Sequence, residues 1–217
     1  MMMRHSVGPI SMSSTKPSYS SILDDDRLHE LVASADLSRL AKHLDPRLSN
    51  SLLARLQQSA RLQPRLAALL LGEEVAIGDT DWSEDLLLGH DPRRVALLAG
   101  SIWHARSILK MVARRDLSIL VELIGSDAHA FAMRHSSKAV VKGPIDDPRQ
   151  LSTQIEYDGH ACLGAWLEQA SWLDRMRVFV RLPVGTAADN PLAEHRSAAG
   201  PLLSQVIAYL RAEADGV

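Results

Sequence analysis

Apolar side chains recur every three or four residues along most of the chain after Ile22, a spacing typical of helices that bury one face. The clearest example follows Asp91 and Pro92. The Asp91 carboxylate can cap a helix by accepting hydrogen bonds from its first backbone N–H groups, and Pro92 has no N–H group that needs an acceptor. The pattern predicts a helix from Asp91 to about Ala113. We expect it to bury a stripe made of Val95, Leu98, Ile102, Ala105, Leu109 and Val112.

The same reasoning predicts further helices on both sides of this one. The expected helix starts are Asp36, Asp45–Pro46, Pro64, Asp116, Gln150 and, after Gly200, Pro201. Gly72 should end the helix from Pro64, and the helix from Gln150 should run to about Leu173. In that helix Gly159 and Ala170 lie on the apolar stripe, where small residues let a neighbouring helix approach closely.

One segment has a different period. Between Arg177 and Leu182 the residues alternate, with Val178, Val180 and Leu182 on one side, which favours a short strand or extended edge. The predicted fold class is therefore mainly α: a compact helical domain with at most one short strand or extended edge near residues 177–182.

Composition sets the domain organisation. Residues 1–20 are rich in serine and too polar to offset the entropy of ordering, so we expect a disordered tail. The length of 217 residues favours a single helical domain over residues 21–217. Within it we expect a small helical half over 21–72, a glycine-containing acidic loop over 73–90 and the main part over 91–217.

Charge and cysteine usage narrow the class of protein. The formal net charge of −2 gives no overall attraction to nucleic acid, and no apolar run approaches the roughly 20 residues that span a bilayer. The single cysteine, Cys162, excludes an intramolecular disulfide and fits a reducing compartment. We therefore expect a cytoplasmic protein without a membrane span and without nucleic-acid binding.

The sequence contains no constellation typical of catalysis. Its nine histidines lack metal-binding spacing, Cys162 lies on an apolar stripe where a thiol is ordinarily inert, and no phosphate-binding glycine loop is present. The prediction is that the protein is not an enzyme and has no catalytic, cofactor or metal residues and no small-molecule ligand. The competing hypothesis is a small helical enzyme or ligand binder whose site is assembled from distant residues such as His104, His129 and His160.

One patch is a candidate for protein binding. Arg106, Lys110 and Arg114 follow one another at four-residue steps, with Arg115 beside them. This basic stripe is typical of the solvated outer face of an amphipathic helix, and the alternative hypothesis is a dock for an acidic partner surface.

Three blocks of the chain, in order, resemble a known family. They are the block from Val95 to Leu109, the segment from Leu117 to Ile124, and the helix around Ala165–Leu167 that leads into 177–183. Their order and spacing are similar to the central and C-terminal region of the SctK (YscK, PscK, HrpD-type) proteins of bacterial type III secretion. The chain looks closest to the members from plant-associated bacteria.

The resemblance implies a largely α-helical adapter of the cytoplasmic sorting platform, peripheral to the inner membrane through the secretion apparatus. In that family the adapter links the SctQ-type pod protein to the SctD-type protein of the inner-membrane ring. The serine-rich tail is also compatible with a third class, a secreted effector or its chaperone.

Overall fold

The protein is built from α-helices joined by short turns. The structure, a computed structural model, describes residues 23–72, 84–141 and 143–215. In these ranges the α-helices are α1 Asp25–Ser34, α2 Leu37–His43, α3 Asn50–Gln57, α4 Gln63–Leu71, α5 Pro92–Trp103, α6 Ala105–Lys110, α7 Arg114–Ile124, α8 Ser126–Arg134, α9 Pro148–Leu167, α10 Trp172–Phe179 and α11 Ala193–Asp215. Short 3₁₀ turns cover Ser136–Lys138 and Ala187–Asp189. The prediction of a mainly α fold is confirmed, while the tail predicted over residues 1–20 lies outside the described residues.

Several helix starts follow from local capping chemistry. Asp91 accepts a hydrogen bond from the second residue of α5, and Pro92 occupies the first helical position, as predicted. Asp36 caps α2 in the same way. Asp147 and Pro148 repeat the arrangement at α9, which therefore begins two residues before the predicted Gln150.

The predicted helix start at Asp45–Pro46 is wrong. The Asp45 carboxylate accepts hydrogen bonds from the backbone and guanidinium of Arg47, which closes a turn. The helix begins at Asn50, with Ser49 as its cap. Asp45 and Ser49 are both good capping residues, so local chemistry alone does not choose between them.

The predicted helix from Asp91 to about Ala113 is interrupted at His104. Its backbone leaves the helical region, with φ −99° and ψ 12°, and α6 begins at the next residue. The carbonyl oxygen of Trp103 accepts hydrogen bonds from the backbone N–H groups of Val140 and Val141, each at 3.2 Å. A contact with a distant segment thus replaces a bond within the helix and ends α5.

The break changes which residues are buried. Val95, Leu98, Ile102 and Ala105 belong to the core as predicted. Leu109 and Val112 were expected there too, but Leu109 is 45% exposed and Val112 is 89% exposed. The prediction is therefore wrong for the last two positions of the stripe, which face solvent.

The predicted strand near residues 177–182 does not form. Residues 177–179 end α10, and the following three residues form a turn. Val178, Phe179, Val180 and Leu182 are all buried, so burial in this segment does not follow the alternating pattern. Such a run does not distinguish a strand from a buried helix end by its period. The helix predicted to reach Leu173 ends instead at Leu167.

The C-terminal helix begins earlier than predicted. We expected its start at Pro201, but α11 begins at Ala193 and passes through that proline. The N-terminal extension is held in the core, because His195 and Ala199 are fully buried. Tertiary burial therefore outweighs the helix-breaking tendency of proline at this site.

The buried apolar residues form two clusters. The larger one is centred on α5, α9 and α11 and includes residues of α7 and α8. The smaller one joins helices α1 to α4 with Leu173 and Val180. The segment after α10 links the two clusters, because Val180 belongs to the smaller one and Leu182 to the larger one. The N–H of Asp36 donates to the carbonyl of Val180 at 2.7 Å. Arg39 adds a 2.7 Å bond to the carbonyl of Leu182.

Helices α5 and α9 cross in backbone contact. A methyl group built on Gly159 would lie 2.1 Å from the carbonyl oxygen of Ala96 on α5. Reciprocally, a methyl group on Gly100 would lie 1.9 Å from the carbonyl oxygen of Ile155 on α9. The prediction that Gly159 admits a neighbouring helix is confirmed, and Gly100 is its counterpart. In the described part of the chain, no helix is long and apolar enough to cross a membrane.

Candidate functional site

The four basic residues predicted as a protein-binding stripe are all solvent-exposed. Arg106 and Lys110 lie on α6, and Arg114 and Arg115 form the start of α7. None of the four makes an ion pair within the described residues. The four residues therefore lie on two helices, which the link 111–113 separates, and not on one continuous helix as the spacing suggested.

The region between these cations is apolar as well as basic. Leu109 and Val112 project among them into solvent, as the exposed fractions above show. No acidic residue occurs between Arg106 and Arg115. The nearest in sequence is Asp116, which was predicted to cap α7 but lies in its first turn, behind the N-cap residue Ala113.

A second element extends this surface. The end of α8 and the following 3₁₀ turn pack against α6, and they carry the exposed side chains of Met133 and Lys138. Burial lowers the pKa of His135, and the positive charges of Lys138 and Arg134 lower it further. The local field at this end of the molecule is therefore positive.

A separate polar cluster lies in the core and was not predicted. Asp158 on α9 accepts hydrogen bonds from Nε2 of His104 at 2.6 Å and from Nε2 of His195 at 3.0 Å. The amide of Gln154 donates a third bond at 3.1 Å. The side chains of Asp158, His104 and His195 are 9%, 2% and 0% exposed. The cluster joins the α5–α6 break, the middle of α9 and the start of α11.

The protonation of His195 follows from its two partners. Its Nδ1 accepts a hydrogen bond from the backbone N–H of Leu192 at 3.2 Å, so the ring proton must be on Nε2, where it is donated to Asp158. The ring also stacks on Trp103, with centroids 4.9 Å apart. His195 is thus a neutral imidazole with both nitrogens hydrogen-bonded.

His104 is held less completely. Its Nε2 donates to the carboxylate, whereas its Nδ1 is buried without a hydrogen-bond partner among the described residues. Burial raises the pKa of Asp158, but the hydrogen bonds from His104, His195 and Gln154 lower it by more, so the pKa lies below its usual value. The centre of the cluster is therefore an ionised carboxylate held by three side-chain donors.

The cluster has little access for a substrate. Cys162, one helical turn beyond Asp158, is fully buried. Burial, with the negative charges of Asp158 and Glu194, raises the pKa of its thiol, which therefore stays protonated at neutral pH. The hydrogen bonds orient the two rings and join three helical segments in a buried position.

The other histidines considered as candidates do not join this cluster. His129 lies on α8, and the Nδ1 of His160 bonds the carbonyl of Glu156 on its own helix at 2.8 Å. His160 is two residues from Asp158, so the two side chains leave α9 on different faces. Across the described ranges, no three His, Cys, Asp or Glu side chains are arranged to hold a metal ion.

Only a weak sequence signal pointed to the cluster. Asp158 follows Ile155 by three residues and precedes Cys162 by four, so the helical period places a carboxylate on the buried face of α9. A carboxylate in that position requires partners. The partners themselves lie 54 and 37 residues away and carry no local pattern.

A charged cleft of about 230 Å³ lies where the small cluster meets the rest of the protein. Its lining includes Asp85 and Arg181, whose charged groups are 3.1 Å apart, and Glu30 and Arg177, whose groups are 3.5 Å apart. The two ion pairs therefore neutralise these charges within the cleft. Their geometry serves to join the two parts of the fold.

The chain is similar to two proteins described as nodulation protein NolU. One is from Sinorhizobium fredii (strain NBRC 101917 / NGR234) and the other is from Rhizobium fredii. Each is 54% identical to the chain over 205 residues, which is 94% of this chain and 97% of the relative. No protein-family model matches the chain, and no solved structure matches it.

Proposed function

Because the chain belongs to the NolU family of nodulation proteins, we propose that it is an adapter of the sorting platform beneath a type III secretion apparatus. The proposal places it in the cytoplasm, peripheral to the inner membrane through that apparatus. Its partners would be the SctQ-type pod protein and the SctD-type protein of the inner-membrane ring. It would work as a binding protein and not as an enzyme.

The observation that carries the proposal is the similarity to nodulation proteins over 94% of the chain, taken with the resemblance to the SctK family. The two point the same way, because the resemblance is closest to SctK members from plant-associated bacteria. The blocks that carry it lie in α5 and α6, in α7, and in α9 and α10. These helices contribute to the larger apolar cluster and also present exposed faces.

The buried chemistry of the described residues supports binding over catalysis. The one His and Asp cluster found in the core is enclosed, and its hydrogen bonds connect three helical segments. The predicted partner-binding residues Arg106, Lys110, Arg114 and Arg115 are exposed and unpaired within the described ranges, which leaves them accessible. An adapter needs such accessible faces on a rigid core.

Co-purification tests the proposed function. We expect the tagged full-length protein, shown to be folded by circular dichroism, to retain both the SctQ-type and the SctD-type proteins of its own secretion system. Deleting the gene should abolish secretion of type III substrates, and the wild-type copy should restore it. A folded protein that retains neither partner would contradict the adapter role. Secretion of the protein itself into the culture supernatant would identify a secreted substrate instead.

A further inference from the structure

The exposed segment between α6 and α7 combines two properties that the basic stripe alone does not have. We define the 106–115 ledge as Arg106, Leu109, Lys110, Val112, Arg114 and Arg115. We propose that this ledge binds an acidic segment of a protein partner, which places an apolar side chain against Leu109 and Val112 and carboxylates beside the cations. The identity of the partner rests on the proposed function. The chemistry expected of that partner rests only on the residues of the ledge.

The charge pattern specifies an acidic partner. Four cations and no carboxylates occur within ten consecutive residues, although the whole chain has a net charge of −2. Several arginines elsewhere form ion pairs with carboxylates of distant residues, such as Arg94 with Glu213 at 2.9 Å and Arg196 with Glu168 at 2.7 Å. The ledge cations have no such partner among the described residues, so their hydrogen-bonding capacity is available to carboxylates.

The apolar part of the ledge supplies an anchor. Single exposed apolar side chains are common on protein surfaces. Here, however, Val112 is 89% exposed in a link that is only three residues long, and Leu109 is 45% exposed one helical turn before it. Met133 on the adjoining α8 is 39% exposed. An apolar centre within a charged rim is the usual anatomy of a protein-binding patch.

The ledge is also held in place from behind. Ile108 is buried in the larger cluster, and Met111 packs against that cluster. The hydroxyl of Ser107 accepts a hydrogen bond from the backbone N–H of Ile145 at 3.3 Å. Inward and outward residues therefore alternate along the segment, and the inward ones fix its conformation. A surface ordered before binding loses less entropy when a partner docks.

The composition favours a protein partner over a membrane or a nucleic acid. No aromatic residue occurs between Arg106 and Arg115. Membrane-surface segments ordinarily insert Trp, Phe or Leu side chains along a long apolar face, and single-stranded nucleic acids are bound by aromatic stacking. Three of the four cations are arginines, which are enriched at protein interfaces, whereas lysines are depleted.

The test separates the charged and apolar contributions in the full-length protein. We expect Arg106→Glu with Lys110→Glu, and separately Leu109→Ser with Val112→Ser, to weaken binding to one of the two purified partners by at least about tenfold. Titration calorimetry at low and high salt supplies the measurement. The wild-type affinity for that partner should fall with salt, and the charge variant should lose most of this dependence. Thermal melting should be unchanged, because the replaced side chains are exposed.

Matched controls come from exposed residues elsewhere. Arg61→Glu with Arg65→Glu reverses two exposed cations at the same four-residue spacing, and Leu192→Ser removes an apolar side chain that is 50% exposed. Both controls should bind like the wild type. Equal weakening by the control charge reversal would overturn the ledge proposal, because it would show a general charge effect.

The remaining outcomes distinguish this inference from the proposed function. If the wild type binds both partners and the ledge variants bind them equally well, the ledge is not the interface and the adapter role stands. If the wild type binds neither, both the adapter role and the partner assigned to the ledge are overturned. Co-sedimentation with phosphatidylserine vesicles that depends on the ledge, without ledge-dependent protein binding, would assign the surface to the membrane and overturn the proposal.

Discussion

Replacing Gly159 with alanine will lower the free energy of unfolding by about 3 kcal/mol or more, even though alanine is the better helix former. The added methyl carbon would lie 2.1 Å from the carbonyl oxygen of Ala96 and 3.1 Å from the backbone nitrogen of Gly100. Both neighbours are backbone atoms of α5, so no side-chain rotation relieves the overlap. Helices α5 and α9 would have to move apart at the centre of the larger cluster.

The same result is expected for Gly100→Ala, whose methyl carbon would meet the carbonyl of Ile155. Urea denaturation followed by circular dichroism measures both changes. Gly200→Ala is the matched control, because this glycine lies inside α11 with nothing within 4 Å of the added carbon. We expect the control to leave stability unchanged or to raise it by up to about 1 kcal/mol, the gain in helix propensity of alanine over glycine. Equal stabilities for Gly159→Ala and Gly200→Ala would show that α5 and α9 are not in backbone contact.

Replacing Asp158 with alanine will destabilise the protein by about 3–5 kcal/mol. The change removes the acceptor for two buried donors, on His104 and His195, and for the partly buried amide of Gln154. A buried donor left without an acceptor costs about 1–3 kcal/mol, and the contacts that join α9 to α11 are lost with it. Urea denaturation at neutral pH measures the loss.

Asp158→Asn should cost less, about 1–3 kcal/mol. Asparagine still offers an oxygen to His195, whose tautomer is fixed by Leu192. Its NH₂ group faces His104, which can adopt the opposite tautomer because its Nδ1 has no hydrogen bond to lose among the described residues. If Asp158→Asn destabilised the protein as much as Asp158→Ala, the proposed change of tautomer at His104 would be wrong.

The two Asp158 variants should also differ from the wild type in how their stability depends on pH in the acidic range. The pKa of Asp158 is lowered in the folded protein, so its ionised form contributes stability at neutral pH. That contribution is present above the unfolded pKa of about 4 and is lost as the pH falls through the folded value. The stability difference between wild type and Asp158→Asn should therefore shrink below about pH 4.

The control for this pH dependence is Asp146→Asn. Asp146 is exposed, so its replacement should leave the loss of stability in acid as it is in the wild type. The measurement is the urea midpoint as a function of pH. A constant difference between wild type and Asp158→Asn from neutral to acidic pH would contradict the role assigned to the ionised carboxylate.

Part of the candidate surface could be predicted from the sequence. The exposure of Arg106, Lys110 and Arg114 was expected from their four-residue spacing, with Arg115 beside them, and the structure places all four in solvent. The exposure of Leu109 and Val112 could not be predicted in the same way. Their period continues that of the buried residues before them, but the chain departs from a continuous helix at His104 and again after Lys110, and both side chains are exposed.

The buried cluster was beyond the reach of sequence patterns. Asp158 meets His104 and His195 because α5, α9 and α11 pack together, and the residues are far apart in the chain. A hydrogen bond between such distant residues leaves no periodic trace in either segment. The sequence marks only the unusual carboxylate on the buried face of α9.

The sequence by itself determined the mainly α fold, the starts of α2 and α5, the end of α4 at Gly72 and the resemblance to a family. Those features depend on side chains within a few residues of the backbone groups they satisfy. The tertiary structure alone decided where α5 ends, that residues 177–179 are helical and which half of the apolar stripe is covered. Each of these depends on contacts between distant segments, such as the bonds from Val140 and Val141 to Trp103, which replace local hydrogen bonds.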